Sequence, residues 1–215
     1  RTKLISKYFK GVYAEMRKEI ETVDYFFNRL SKNYIYKGPV TEWYMRIKIK
    51  LEDNYRLFES LLPKKGLITD IGCGYGFLPY MLHFMSKERQ VIGMDYDEEK
   101  IAVADHCFSK NEQLRFFAAD ATKCELPKSD AFVLSDILHY LPQEDQKHLL
   151  IKCMQNLNEG GMILLRDADK DLEKRHLGTR YTEFFSTNFG FNKAAHKLEF
   201  VSSTFIANVV RENNM

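Results

Sequence analysis

"LITDIGCGYGFLPYML", residues 67 to 82, decides the fold. Five residues suited to a buried strand surround Asp70, three glycines follow within five positions (Gly72, Gly74 and Gly76), and an apolar-periodic segment begins at once. The spacing predicts a strand, a glycine turn and a helix. A turn of this kind lets the backbone approach a ligand, because no side chain holds the two apart.

Working outward, short apolar runs alternate with helical patterns from Gly66 onward. "LITDI" is followed by a helix from Phe77, "VIGMD" by a helix from Glu98, then "LRFFAAD", "AFVLSD", a helix from Gln143, and "MILLRD". This alternation predicts βαβ units, a parallel sheet and helices on both faces, with the ligand beyond the carboxyl ends of the strands where the strand order reverses. Ahead of it, apolar residues from Tyr8 to Leu30 recur at three- and four-residue steps, which describes an amphipathic helix over roughly residues 5–31. "NYIYKGPV" interrupts it with a turn at Lys37-Gly38-Pro39, and helical spacing resumes through "TEWYMRIKIKLEDNYRLFESLL" up to Pro63. The chain therefore divides into a helical preface, residues 1–63, and an α/β domain, residues 64–215. "SSTFIANVVRENNM" reads as a closing helix capped by Ser202 or Ser203.

At 215 residues with 45% hydrophobic content the chain can bury a sizeable core. No run approaches the length of a membrane span and the start lacks a signal-peptide pattern, so a cytoplasmic protein is expected. The four cysteines, Cys73, Cys107, Cys124 and Cys153, have neither disulfide nor zinc-site spacing, and no metal is expected. Cys73 lies in the glycine turn, where a packing role outweighs a nucleophilic one for want of a nearby base. The net charge of +2 hides an asymmetry, with 12 Lys/Arg against 5 Asp/Glu in residues 1–50. A basic front suits an anionic substrate, a phospholipid surface or an acidic partner, or is simply a solvated face. No nucleic-acid motif accompanies it.

The turn itself separates two ligand classes. The dinucleotide fingerprint G-x-G-x-x-G needs a glycine where this chain has Phe77. What stands here is D-x-G-x-G-x-G, with an acid in front that disfavours pyrophosphate and favours an ammonium group. This pattern resembles the class I S-adenosylmethionine-dependent methyltransferases, and the resemblance continues over residues 67–169. "VIGMDYD" is similar to that family's second strand, "FFAADAT" to its third, "DAFVLSDILHYLP" to its fourth, and "LNEGGMILLRDAD" to its turn and fifth strand, with Glu159 where proline is usual. The resemblance implies a Rossmann-like sheet of the seven-stranded type and S-adenosylmethionine as cofactor, with S-adenosylhomocysteine as product. It places the methionine end at Asp70, Gly72, Cys73, Gly74 and Gly76. It gives the ribose hydroxyls to Asp95, the adenine to Tyr96, Asp120 and Ala121, and adds Ser135 at the fourth strand. Bland readings stand beside these: Asp95 or Asp120 as a cap or turn residue, and Tyr96 as a half-exposed aromatic.

The same resemblance places the acceptor among the segment before the first strand, the end of the fourth and the chain after the fifth. His139 is there as a base for a phenol or hydroxyl, against a pocket-shaping role. Tyr34, Tyr36, Trp43 and Tyr140 form an aromatic wall, against ordinary core. Arg166 and His176, with Lys174, Arg175 and Arg180, clamp an anionic acceptor group, against a solvated helix face. The preface is expected to close over the site as a lid hinged at Gly38. Only 48 residues follow Asp167, so the closing strands are expected to be truncated, and a covalently joined partner domain is expected. The reading reached is a methyltransferase for an aromatic or lipid-like small molecule, with no nucleic-acid partner and no membrane span. The alternatives are a silent methyltransferase-like docking module and, behind it, an NAD-dependent enzyme.

Overall fold

In the computed structural model, which describes residues 10–11, 29–52, 54–168 and 198–213, the strand β1 (Gly66–Ile71) has parallel neighbours on both sides, β2 (Arg89–Asp95) and β4 (Ser129–Ser135). Its last four residues are buried. A strand covered on both faces needs apolar side chains without alternation, which is why "LITDI" reads as a continuous run. With β3 (Leu114–Ala118) and β5 (Leu157–Arg166) the sheet runs β3-β2-β1-β4-β5, all parallel. The order reverses between β1 and β4, so a crevice opens past the carboxyl ends of those two strands. Five strands are described. The two further strands of the seven-stranded type would follow Asp167, where residues 169–197 lie outside the described residues.

β5 starts earlier than "MILLRD". Ser129 pairs with Leu157 and Ala131 then pairs with Met162, so residues 158–161 bulge out within one strand rather than forming a separate turn.

Helices cover both faces. One face carries α1 (Pro39–Leu51), α2 (Asn54–Leu61), α3 (Phe77–Met85) and α4 (Glu98–Asp105), whose Met45, Phe58, Tyr80 and Ile101 meet in one core cluster. The other carries α5 (Gln143–Gln155) and α6 (Ser203–Glu212), through Leu149, Cys153 and Val209. Asp97 caps α4 by accepting from the amides of Glu99 and Lys100, and Ser202 caps α6 by accepting from Phe205.

The described part of the preface shares the first core. Leu30, Tyr34, Met45, Ile49 and Phe58 are buried with Ile68 and Leu78. Helical spacing breaks at Glu52, which ends α1, and the fully buried Arg89 ties α2 down. Its guanidinium donates to the carbonyls of Pro63 (2.6 Å), Leu82 (3.0 Å) and Leu62 (3.2 Å), and so serves the carbonyl ends of α2 and α3 together. Tyr34 reaches further, donating its hydroxyl to the Tyr75 carbonyl in the glycine turn at 2.6 Å. Tyr34→Phe keeps the ring and removes that bond, so a stability loss of about 1 kcal/mol is expected in denaturant unfolding; an unchanged midpoint would show that the bond does not hold the preface to the turn.

Candidate functional site

Between Ile71 and Phe77 the chain turns with almost all of its amide donors spent internally. The amides of Gly72 and Cys73 both donate to the Met94 carbonyl (2.7 and 3.0 Å), Gly74 donates to Asp95 Oδ2 (2.8 Å) and Gly76 donates to the Cys73 carbonyl (2.9 Å). The three glycines of the turn serve different purposes. A Cβ on Gly72 would collide with Ile137, and one on Gly76 would lie 2.7 Å from Phe116, so these two permit packing within the protein. At Gly74, with φ +54°, a Cβ would meet no atom within 4 Å. Of the three, Gly74 alone has open space on its side-chain face, so the clearance expected at Gly72 serves Ile137 instead of a ligand. Cys73 is buried, its sulfur packs toward Gly93, and burial followed by Asp70 and Asp95 pushes its thiol pKa well up. This is an inert thiol.

Two acids back the turn. Asp70 is 3% exposed. Burial first, and Asp95 second, push its carboxyl well above the usual carboxylate range, and among the described residues no cation is paired with it. Asp95, at the end of β2, accepts from the Gly74 amide with one oxygen and from the Asp97 amide with the other, at 2.9 Å. A carboxylate has about four lone-pair sites, so both oxygens retain capacity for a ligand. The helix cap belongs to Asp97, not to Asp95.

Tyr96 is exposed at the lip of the crevice. Asp120 is turned into its own loop, accepting from the Thr122 amide (3.0 Å), the Thr122 hydroxyl (2.6 Å) and Lys123 Nζ (2.8 Å). Burial raises its pKa, but these bonds outweigh that and leave it below the usual range. Ala121 is half-buried against the second core, and Ser135 donates to Asp136 Oδ2 at 3.3 Å.

Past β4 and β5 lies a cluster that only the fold assembles. Asp136 sits at φ +55°, a left-handed conformation that Asp tolerates better than most residues but that still costs about 1 kcal/mol. Arg166 holds it there from both sides: its guanidinium pairs with the Asp136 carboxylate, and its carbonyl accepts from the Asp136 amide at 2.8 Å. Arg166 also reaches Glu52 at 3.3 Å, joining the end of α1 to the sheet. Tyr55 faces the same charges; burial, then Glu52, Asp70 and Asp136, push its phenol pKa up while Arg166 opposes them. Neither Glu52 nor Tyr55 carries a sequence signal, since both come to the site through packing of the preface.

His139 is fully buried. Its Nδ1 lies 2.6 Å from Asp167 Oδ1, and the other Asp167 oxygen accepts from the amides of Leu138 (2.9 Å) and His139 (3.3 Å). Tyr140 lies on the ring at 4.3 Å between centroids and Phe200 stacks at 5.6 Å. In this arrangement the described residues enclose the ring, and Asp167 fixes its orientation through Nδ1. The aromatic wall is corrected. Tyr34 is core beneath the turn, Tyr36 donates to the Val103 carbonyl of α4 at 2.8 Å, Trp43 is 62% exposed on α1, and only Tyr140 lies near the site. His176, with Lys174, Arg175 and Arg180, lies outside the described residues. Arg166 is the one member of that proposed anion clamp whose place is described, and two carboxylates already engage it. Alongside it, a cavity of about 380 Å³ opens between α2, the end of β5 and α6, with Leu57, Phe58, Leu164 and Ile206 as walls and Arg166 and Asp167 at its polar end.

Residues 68–161 match a protein-family profile described as "Methyltransferase domain". Curated relatives include a carboxy-S-adenosyl-L-methionine synthase of Campylobacter concisus, 28% identical over 126 residues that cover 56% of this chain and 54% of that protein. An rRNA adenine N-6-methyltransferase of Bacteroides fragilis is 24% identical over 142 residues, 66% of this chain and 52% of that one. The chain thus spans about half the length of these relatives. Among solved structures, human N-acetylserotonin methyltransferase in complex with S-adenosylmethionine superposes with a TM-score of 0.58 at 19% identity, over 94% of this chain and 59% of that one. At that identity the likeness concerns the fold.

Proposed function

We propose that residues 68–161, which match a profile described as a methyltransferase domain, form a class I S-adenosylmethionine-dependent methyltransferase domain that binds S-adenosylmethionine at the Gly74 face of the turn and transfers its methyl group directly to a small amphiphilic acceptor. The observation that carries this reading is the pairing of spent amides with uncompensated acid. A pyrophosphate entering the turn would meet two carboxylates and find the amides of Gly72, Cys73, Gly74 and Gly76 already bonded, so a dinucleotide is rejected. A ligand carrying an ammonium and a ribose diol suits the same place: Asp70 neutralises the cation, and the free lone pairs of Asp95 accept the hydroxyls.

When bound, this cofactor supplies a methyl group on a sulfonium that needs no further activation. The protein's share is alignment and exclusion of water. Asp136, fixed by Arg166, and Tyr55 border the crevice where an acceptor would approach, and the cavity beside Arg166 suits an apolar body with a polar head. His139 and Asp167 act here as an anchor for residues 199–200, since the Glu199 amide donates to the His139 carbonyl at 2.9 Å; no proton step is assigned to the ring.

Calorimetric titration with S-adenosylmethionine, S-adenosylhomocysteine and NADH tests the cofactor. Binding of the first two and not the third is expected, and tighter binding of NADH would overturn the reading. Incubation with S-adenosylmethionine and a cell extract, followed by mass spectrometry for products one methyl group heavier, separates an enzyme from a silent docking module.

Asp70 adds a test of sign. Its raised pKa means that the native state binds this proton more tightly than the unfolded chain. The group therefore opposes folding at neutral pH; the penalty shrinks as pH falls below the raised value and is gone only below the ordinary carboxylate range. Asp70→Asn should raise the unfolding temperature of the ligand-free protein while weakening S-adenosylhomocysteine binding by about tenfold or more. A lower unfolding temperature with unchanged affinity would make Asp70 a structural residue.

A further inference from the structure

α1 has two apolar faces, and only one of them meets the core. Met45 and Ile49 are buried, while Val40, Trp43, Ile47 and Leu51 are 78%, 62%, 36% and 77% exposed. At 100° per residue the exposed four fall within about 80° of one another, opposite the buried pair. A soluble helix gains nothing from a solvated stripe of this composition, and Trp with branched aliphatics at such spacing is the mark of an interaction surface. Its flanks say what it meets. Arg46 and Lys50 border the stripe on one side and Lys48 on the other, and residues 29–52 carry six Lys/Arg against two Asp/Glu. Leu57 and Leu61 on α2 are each 53% exposed and line the cavity beside Arg166.

We propose that the outer face of α1 docks on an anionic lipid surface, with Trp43, Ile47 and Leu51 entering the headgroup boundary and Lys50 and Arg46, which also pairs with Glu42, facing the lipid phosphates. An apolar stripe rimmed by basic residues on a helix lying flat is the composition that binds such surfaces, by apolar burial together with attraction to anionic lipid. A neutral groove on another protein would not need the cations, and a second copy of α1 would bring like charges together. No helix among the described residues is long and apolar enough to cross a membrane, so this is docking in the plane of the surface. It does not depend on the cofactor reading.

Trp43 is the single tryptophan of the chain, so its emission reports on this face. The full chain is titrated with vesicles of phosphatidylcholine alone and of phosphatidylcholine with phosphatidylglycerol, followed by co-sedimentation and tryptophan fluorescence. The expected result is a blue shift and sedimentation with the anionic vesicles only, weakened at least tenfold by Ile47→Glu with Leu51→Glu, and weakened by added salt. Both substituted residues are solvated, so folding and S-adenosylhomocysteine affinity stay as they were; equal thermal midpoints confirm that. Three results would overturn the proposal: an unshifted emission with anionic vesicles, equal binding by the double variant, or a blue shift that grows with protein concentration in the absence of vesicles, which would assign the stripe to a second copy.

Discussion

Gly74→Ala is expected to weaken S-adenosylhomocysteine binding by about a hundredfold or more, close to 3 kcal/mol, while the protein remains folded. The added methyl group meets no protein atom within 4 Å, so whatever it obstructs is the ligand. Its cost to the fold is the left-handed backbone at φ +54°, about 1 kcal/mol for alanine. The neighbouring glycines give the contrast. At Gly72 the same methyl group strikes Ile137, and at Gly76 it crowds Phe116 and Ala104, so those variants should lose about 1–3 kcal/mol of stability through overpacking. Circular dichroism melts and calorimetric titration of the three variants separate the effects. If Gly74→Ala bound as tightly as the parent chain, the ligand would not lie against this face of the turn.

Asp95→Ala carries the second large effect, because one carboxylate serves both the ligand and the loop. Its oxygens accept from the amides of Gly74 and Asp97, and charge-assisted bonds of this kind contribute about 1.5–3 kcal/mol each. The variant should lose at least about 2 kcal/mol of stability and, with the diol contacts gone and the turn released, about thirtyfold or more in S-adenosylhomocysteine affinity. Asp97→Ala is the control: it removes the cap of α4, at a cost of about 1 kcal/mol, and should leave affinity nearly untouched. A fall in stability without a change in affinity would reduce Asp95 to an anchor of the turn.

Much of the architecture was legible in the sequence because parallel strands buried on both faces are written as unbroken apolar runs, and helices on a sheet as three- and four-residue periods. From "LITDI" to "MILLRD" the five described strands and the helices between them follow those local signals, and the turn at Gly72 to Gly76 announces itself by composition. Local pattern could not say which glycine faces a ligand. Gly72, Gly74 and Gly76 look alike in the chain, and only the positions of Ile137 and Phe116 distinguish them. The aromatic wall failed for a similar reason: Tyr34 and Tyr36 have the composition of a pocket, but their hydroxyls spend themselves on the carbonyls of Tyr75 and Val103, each more than 40 residues away. His139 was visible as a histidine past a strand end, whereas its burial against Asp167 and Phe200 depends on β5 and the carboxyl-terminal segment closing on it. Of the cluster of Glu52, Tyr55, Asp136 and Arg166, only Arg166 stood out in the sequence, and as an anion clamp rather than as the partner of two carboxylates. Periodicity and turn chemistry act over a few residues and were decided by the sequence itself, while burial, hydrogen-bond partners and charge neighbours come from segments distant in the chain and exist only once the sheet has set them side by side.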